Sequence, residues 1–277
     1  DLQGENRIIV KEGLKKLSST SFEGLKALIC VNNLEGAEIT AYHVGFVIGP
    51  CINASGRLDT AARSLELLLA DNMEDAVKLA DDLYDLNQSR KAMTEQGKEQ
   101  AIQSIEENNL GKDRVLVVYL PDCHESLAGI IAGRIREAYN KPVFVLTKGS
   151  DGVKGSGRSI EAYSMYEELV KCSDLLMQFG GHPMAAGLSM EEKNVELFRR
   201  RLNDNCTLTE QDLIPKIMID VPMPISYLSK KLTEQLKVLE PFGKGNSKPL
   251  FAQKNLRAVG IRVFGRNRNP CYLFRTS

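Results

Sequence analysis

Residues 114–147 read RVLVVYLPDCHESLAGIIAGRIREAYNKPVFVLT. Arg114 to Leu120 form a short apolar run, ESLAGIIAGRIREAYN carries apolar residues at helical spacing, and Pro142 to Thr147 form a second run. Strand, helix, strand with a crossover of this length predicts a βαβ unit with parallel strands. Downstream, GVKGSGRSI (152–160) reads as a further strand and Ser164 to Cys172 as a helix. LLMQFGGHP reads as a bridge, AAGLSM as a small strand and Glu192 to Leu202 as a closing helix. The expectation is a compact α/β domain, with a mixed sheet, over residues 110–206.

Before this unit, apolar positions between Arg7 and Asn32 recur at helical intervals in two pieces broken near Ser18 to Thr20. HVGFVIGPCINASGRLDTA (43–61) then passes through glycine, proline and asparagine and predicts a loop leading into a helix near Thr60. Asn72 with Asp75 three residues on predicts an N-cap. The helix after it reaches Ile105 with a narrow apolar stripe interrupted at Arg90 and Gly97, which suggests an exposed connector about 50 Å long. After residue 206 the pattern shifts to a short helix, a Gly-rich turn and strand-like runs, as in a small barrel.

The chain has 277 residues, 43% of them hydrophobic, which supports a real core. Its 36 basic and 36 acidic residues cancel, so global charge announces no polyanionic partner. Local charge does: Pro241 to Ser277 hold eight Lys or Arg, no Asp or Glu, and Phe242, Phe251, Phe264, Tyr272 and Phe274. Cations for phosphates and flat faces for bases suit single-stranded nucleic acid, and Lys244, Lys248, Arg262, Arg266 and Arg268 are the candidate contacts. A solvated strand face over core aromatics is the alternative. The six cysteines form no C-x-x-C pair, no His, Asp or Cys cluster has metal-ligand spacing, and no leader or spanning segment is evident. A soluble cytoplasmic protein that binds no metal itself is expected. The chain opens within a loop and stops within a strand-like run, as a segment of a longer protein would.

Three stretches are candidate anion sites. Ser156 and Arg158 share one side of a strand, and the glycines at 155 and 157 permit close backbone approach. Arg57 lies beside the helix amino terminus predicted after IGPCINASGRLDTA, a loop equally readable as a constrained turn. In FGGHPMAAG (179–187), His182 follows Gly180 and Gly181, which let the main chain approach a ligand. His43 precedes an apolar run, and His124 with Glu125 reads as helix-cap chemistry.

Taken in order, IGPCINASGR, HESLAGIIAGRIREAYNKPVFVL, GSGRS, FGGHPMAAG and PFGKGNSKPLF resemble the signatures of the RecJ single-strand-specific exonucleases, members of the DHH phosphoesterase superfamily. The resemblance covers nearly the whole chain. It implies a helical remnant of a DHH domain (1–70), a connecting helix (71–109), a DHH-associated domain (110–206) and an incomplete OB-fold (207–277). It also implies a monomeric 5′ to 3′ exonuclease of DNA repair and recombination that acts on single-stranded DNA with two Mn²⁺ or Mg²⁺ ions. By carry-over, Arg57, Ser156 and Arg158 hold the terminal 5′ phosphate, with Asn53, Gly180 and Gly181 as further substrate contacts. His182 meets the scissile phosphate as the catalytic residue. The family's DHH triplet does not occur in the chain, GENR (4–7) resembles sequence just downstream of its last metal-binding aspartate, and Cys51 stands where the family often has a basic residue. This segment alone is therefore expected to be inactive. The alternatives are an oligonucleotide or cyclic-dinucleotide phosphodiesterase of the same superfamily, and a non-catalytic nucleic-acid-binding module.

Overall fold

The computed structural model describes residues 1–255, together with the backbone of residues 258–264 and 271–276. The chain forms two compact units, Leu17–Pro215 and Asp1–Lys16 with Lys216–Ser277.

The larger unit begins with helices α2 (Glu23–Val31), α3 (Ala41–His43), α4 (Gly49–Leu58) and α5 (Ala62–Leu68), preceded in the chain by α1 (Gly4–Leu17). The loop expected over 43–59 is helical instead. A π-helical turn, Val44–Ile48, runs directly into α4. Pro50 sits in the first turn of α4, where no intrahelical N–H is needed, and Gly49 is required because a Cβ there would lie 2.7 Å from the Val44 carbonyl oxygen. Burial of Cys51, Ala54 and Ser55 on one face outweighs the weak propensity of the glycines. Ser64 ties α5 to α4 through 2.7 Å and 2.6 Å hydrogen bonds to the Ile52 carbonyl and the Ser55 hydroxyl.

Helix α6 (Met73–Glu107) starts at the expected cap, where Asn72 Oδ1 accepts from the Asp75 N–H at 2.9 Å. It is no exposed connector: Ala76, Ala80, Leu83, Asn87, Thr94, Gly97, Ala101 and Ile105 are buried, and α2, α4, α5 and α7 (Glu125–Tyr139) pack along it. Gly97 is part of the seam. A Cβ there would stand 2.5 Å from Ile131 Cδ1, so its absence lets α7 cross close.

The βαβ expectation holds. Strand β1 (Leu116–Tyr119) pairs parallel with β2 (Val143–Gly149) on either side of α7. Then follow β3 (Gly152–Arg158), α8 (Met165–Val170), β4 (Leu176–His182), β5 (Ala185–Met190) and α9 (Val195–Asp204). The sheet order is β1-β2-β3-β5-β4, with every pairing after the first antiparallel. The stretch expected as a bridge, Leu176 onward, is thus an edge strand. Its glycines and polar residues hide the strand pattern because that edge is largely solvent-facing.

Alternation along β2 builds two cores. Val143 and Val145 join Leu127, Ile131 and Ile135 of α7 and Ala101 and Ile105 of α6, whereas Phe144 and Leu146 join Met165, Leu169, Phe198 and Leu202 on the other face. Phe144 meets Phe198 edge-on at 5.4 Å.

In the smaller unit, α1 is held by the C-terminal segment. Arg7 Nη2 donates to the Val238 and Glu240 carbonyls at 2.7 and 3.0 Å, and the Leu2 N–H donates to the Lys244 carbonyl at 2.6 Å. Helix α10 (Lys230–Leu236), the parallel pair β6 (Val221–Pro222) and β7 (Phe251–Ala252), and the hairpin of β8 (Ala258–Phe264) and β9 (Cys271–Thr276) complete it.

Phe144 is fully buried, so Phe144→Ala should destabilise the larger unit by about 3–5 kcal/mol in urea unfolding. A loss below about 1 kcal/mol would contradict the two-core description.

Candidate functional site

Strand β3 lies at the centre of the sheet and its two faces do different work. On one face a Cβ at Gly155 would meet Leu146 Cδ2 at 2.4 Å, and one at Gly157 would meet Met165 Sδ at 2.5 Å and Phe144 Cε1 at 2.7 Å. Those glycines therefore make room for the core, and Gly155 also borders the groove over the sheet. On the other face, Lys154, Ser156 and Arg158 point toward α7. A Cβ on Gly129 of α7 would stand 2.7 Å from Arg158 Nη2 and 2.8 Å from Ser156 Oγ, so helix backbone and polar side chains are in direct contact there. Arg158 Nη1 donates to the Gly157 carbonyl at 2.7 Å and to Ser156 Oγ at 3.3 Å.

Arg57 comes from the last turn of α4, not from a loop beside a helix start. Its Nη1 donates to the Ser126 carbonyl at 2.8 Å, in the first turn of α7 and one turn before Gly129. Arg57 and Arg158 thus flank the same end of α7. Burial, and then the field of Arg57, lower the pKa of the Arg158 guanidinium. Among the described residues no carboxylate pairs with either one. Asn53 lies one turn before Arg57 on the exposed side of α4. Cys51 faces the other way: it is fully buried, and its sulfur accepts from Asn87 Nδ2 at 3.4 Å, so it cannot meet a ligand.

Beyond α7 the same sheet face lies open. In register across the strands, Ser156 pairs with Gly187 and Gly187 with Gly180, while Arg158 pairs with Ala185 and Ala185 with His182. Paired residues share a face, so the floor next to Ser156 is paved with two glycines and His182 stands about 10 Å from Arg158, two strand spacings away. A groove of about 620 Å³ runs over this floor, lined by Ser126, Lys154, Ser156, Gln178, Gly180 and Gly187 among others.

FGGHPMAAG is therefore a hairpin whose tip is Pro183-Met184. The Met184 N–H donates to His182 Nδ1 at 3.3 Å, which leaves Nε2 of the neutral ring as an outward donor. The tip is tied to β3 and α8: Ser159 N–H donates to the Met184 carbonyl at 2.9 Å and Met165 N–H to the Pro183 carbonyl at 3.0 Å. Gly181 is needed by the backbone, with φ +150° and only 2.4 Å between a Cβ and the Ala185 carbonyl oxygen. Gly180 is not, for a Cβ there meets nothing within 4 Å and would project into the groove.

The other candidates have contacts of their own. His124 caps α7, accepting from the Ser126 N–H at 3.3 Å, and Glu125 pairs with Lys154 at 2.7 Å. His43 caps α3 through the Thr40 N–H at 3.1 Å. Lys244 and Lys248 are exposed in the smaller unit, where Lys244 pairs with Asp1 at 3.5 Å. The Arg262 side chain, Arg266 and Arg268 lie outside the described residues. Among the described residues no three His, Cys, Asp or Glu side chains gather to hold a metal. Arg90, which the sequence reading did not single out as a site residue, lies close enough to Arg57 and to Arg134 for their charges to act on it. Arg134 stands within the HESLAGIIAGR signature, five residues after Gly129, which offered a signal for that residue.

Comparison with known proteins matches residues 112–207 to the DHHA1 domain and residues 219–274 to the RecJ OB domain. The chain is 33% identical over 271 residues to the single-stranded-DNA-specific exonuclease RecJ of Bacillus subtilis, covering 96% of this chain and 34% of that protein. With the Escherichia coli protein of the same name it shares 34% identity over 275 residues, 95% of this chain and 48% of that one. The chain belongs to the RecJ family. Thermus thermophilus RecJ in complex with Mn²⁺ superposes with a TM-score of 0.83 at 31% identity, covering 99% of this chain and 40% of that one. RecJ from the same organism in complex with Mg²⁺ gives a TM-score of 0.82. The chain spans between a third and a half of the length of these curated RecJ relatives.

Gly181→Ala should lower the thermal midpoint by several degrees, since strain of about 1–3 kcal/mol falls on the hairpin, whereas Gly180→Ala should leave it unchanged. Equal effects of the two would contradict the assignment of Gly181 to backbone need and Gly180 to the groove floor.

Proposed function

We propose that this chain supplies the 5′-end binding half of a RecJ-type exonuclease, which degrades single-stranded DNA 5′ to 3′ by phosphodiester hydrolysis in DNA repair and recombination. The observation that carries the reading is the convergence of Arg57, Ser156 and Arg158 at one end of α7, without a carboxylate partner among the described residues, beside a glycine-floored groove. A terminal phosphate offers the counter-charge the two guanidiniums lack, and the Ser156 hydroxyl adds a donor. Gly180 and Gly187 leave depth for the following nucleotide, and Asn53 borders the site from α4. His182, with Nε2 as outward donor, is assigned to the next phosphate along the strand, where it stabilises charge at the scissile position.

The divalent cations named for the Thermus relatives have no ligand set among the described residues. No step of hydrolysis is assigned to a metal held by this chain. In the smaller unit, exposed Lys244 and Lys248 are assigned to backbone phosphates of single-stranded DNA, in keeping with the RecJ OB match. That match favours long single strands over the di- to pentanucleotides of related phosphodiesterases. The whole enzyme is read as a monomer of the cytoplasm.

The test is fluorescence anisotropy with single strands bearing a 5′ phosphate or a 5′ hydroxyl. The chain should prefer the phosphorylated end by roughly thirtyfold, about 2 kcal/mol, and Arg158→Gln should remove most of that preference. Affinity for both strands should fall steeply with salt. No preference for the phosphate, or tighter binding of a dinucleotide than of a long strand, would overturn the reading.

A further inference from the structure

Helix α6 buries Leu83, Asn87, Thr94, Gly97 and Ala101, a rhythm of fours and threes in which the position between Asn87 and Thr94 belongs to Arg90. An arginine at a seam position needs a reason. At Asn87 the helix meets α4, through the 3.4 Å hydrogen bond to Cys51 Sγ, and at Gly97 it meets α7, against Ile131. Arg90 lies between those crossings along α6. Arg57 bridges the same two helices through its bond to the Ser126 carbonyl.

The guanidinium of Arg90 is half-buried and held in one orientation. Its Nε and Nη2 donate to Asn87 Oδ1 at 3.2 and 2.9 Å, which leaves Nη1 without a partner among the described residues. Asn87 is itself only 1% exposed and braced by Cys51, so the pair forms a rigid support. A neutral amide orients a cation without neutralising it, and no carboxylate among the described residues pairs with Arg90. Burial first, then the charges of Arg57 and Arg134, lower the pKa of this group. A half-buried cation facing other cations is costly unless an anion completes the set.

We propose that Arg90 is a further phosphate-binding residue of the site, closing it from the α6 side so that a dianionic terminal phosphomonoester is favoured over a hydroxyl or diester end. The inference rests on the reading of Arg57, Ser156 and Arg158 as a terminal-phosphate site. Asn87 is then a positioning residue, and its support from Cys51 explains why a small neutral side chain stands at position 51.

The experiment measures the ratio of affinities for 5′-phosphorylated and 5′-hydroxyl single strands, using the 277-residue chain and its Arg57→Gln, Arg158→Gln, Arg90→Gln and Arg90→Lys variants. Arg90→Gln should lower the ratio about fivefold through weaker binding of the phosphorylated strand alone, and Arg90→Lys, which keeps the charge but not the fork, should fall between. If Arg158→Gln and Arg57→Gln abolish the preference while Arg90→Gln leaves it at the wild-type value, the inference fails and the phosphate-site reading stands. If none of the variants changes the ratio, the reading itself fails and takes the inference with it. Equal weakening of both strands by Arg90→Gln would mark general electrostatics and also overturn the proposal. Should Arg90→Gln lose its cooperative thermal transition, Arg90→Lys decides: a reduced ratio supports the proposal and an unchanged one refutes it.

Discussion

The contact between Gly129 of α7 and the polar face of β3 is the constraint from which the site follows. With no Cβ at 129, the helix lies directly against Ser156 Oγ and Arg158 Nη2, and the guanidinium folds back onto its own strand through the Gly157 carbonyl. The same helix end accepts Arg57 at the Ser126 carbonyl, so one turn of α7 positions cations from two elements far apart in sequence. The β3–β5–β4 register carries that geometry outward, placing Gly187 and Gly180 beside Ser156, and His182 on the row of Arg158. Larger side chains at 129, 180 or 187 would close the space these residues share.

Electrostatics gives the arrangement its direction. The chain is neutral overall, yet Arg57, Arg90 and Arg158 stand together with no acid to pair them among the described residues. Several lysines and arginines elsewhere do find carboxylates, as Lys78 does with Glu74 and Arg200 with Glu196. Cations held apart from acids, partly desolvated and oriented by neutral groups such as the Ser126 carbonyl and Asn87 amide, are poised for an anion. Under the function proposed above, the stability given up at such a corner is repaid by binding.

Much of this was legible in the sequence, and the exceptions have physical causes. The βαβ unit shows plainly because its strands are buried on both faces and read as continuous apolar runs. GSGRS announces Ser156 and Arg158, although the purpose of its glycines, clearing space for Leu146, Phe144 and Met165, depends on which face the core occupies. Helix α4 was hidden because Gly49, Pro50, Asn53 and Gly56 are loop formers, and only packing of Cys51, Ala54 and Ser55 overrides them. The edge strand β4 was hidden by its exposed glycines. Arg90 looked like a flaw in a seam because the pattern assigns buried positions to apolar residues. The role proposed for it emerges only when the crossings of α6 with α4 and α7 are known.

The most direct test of the central claim, that one corner built by α4, α7 and β3 receives the 5′ end of a single strand, is a crystal structure of the chain with a 5′-phosphorylated trinucleotide. The account predicts the terminal phosphate within hydrogen-bond reach of Arg57, Ser156 and Arg158, with the strand passing over Gly187 and Gly180 toward His182. A trinucleotide bound with its phosphate away from these residues, leaving the Gly129 corner empty, would contradict it.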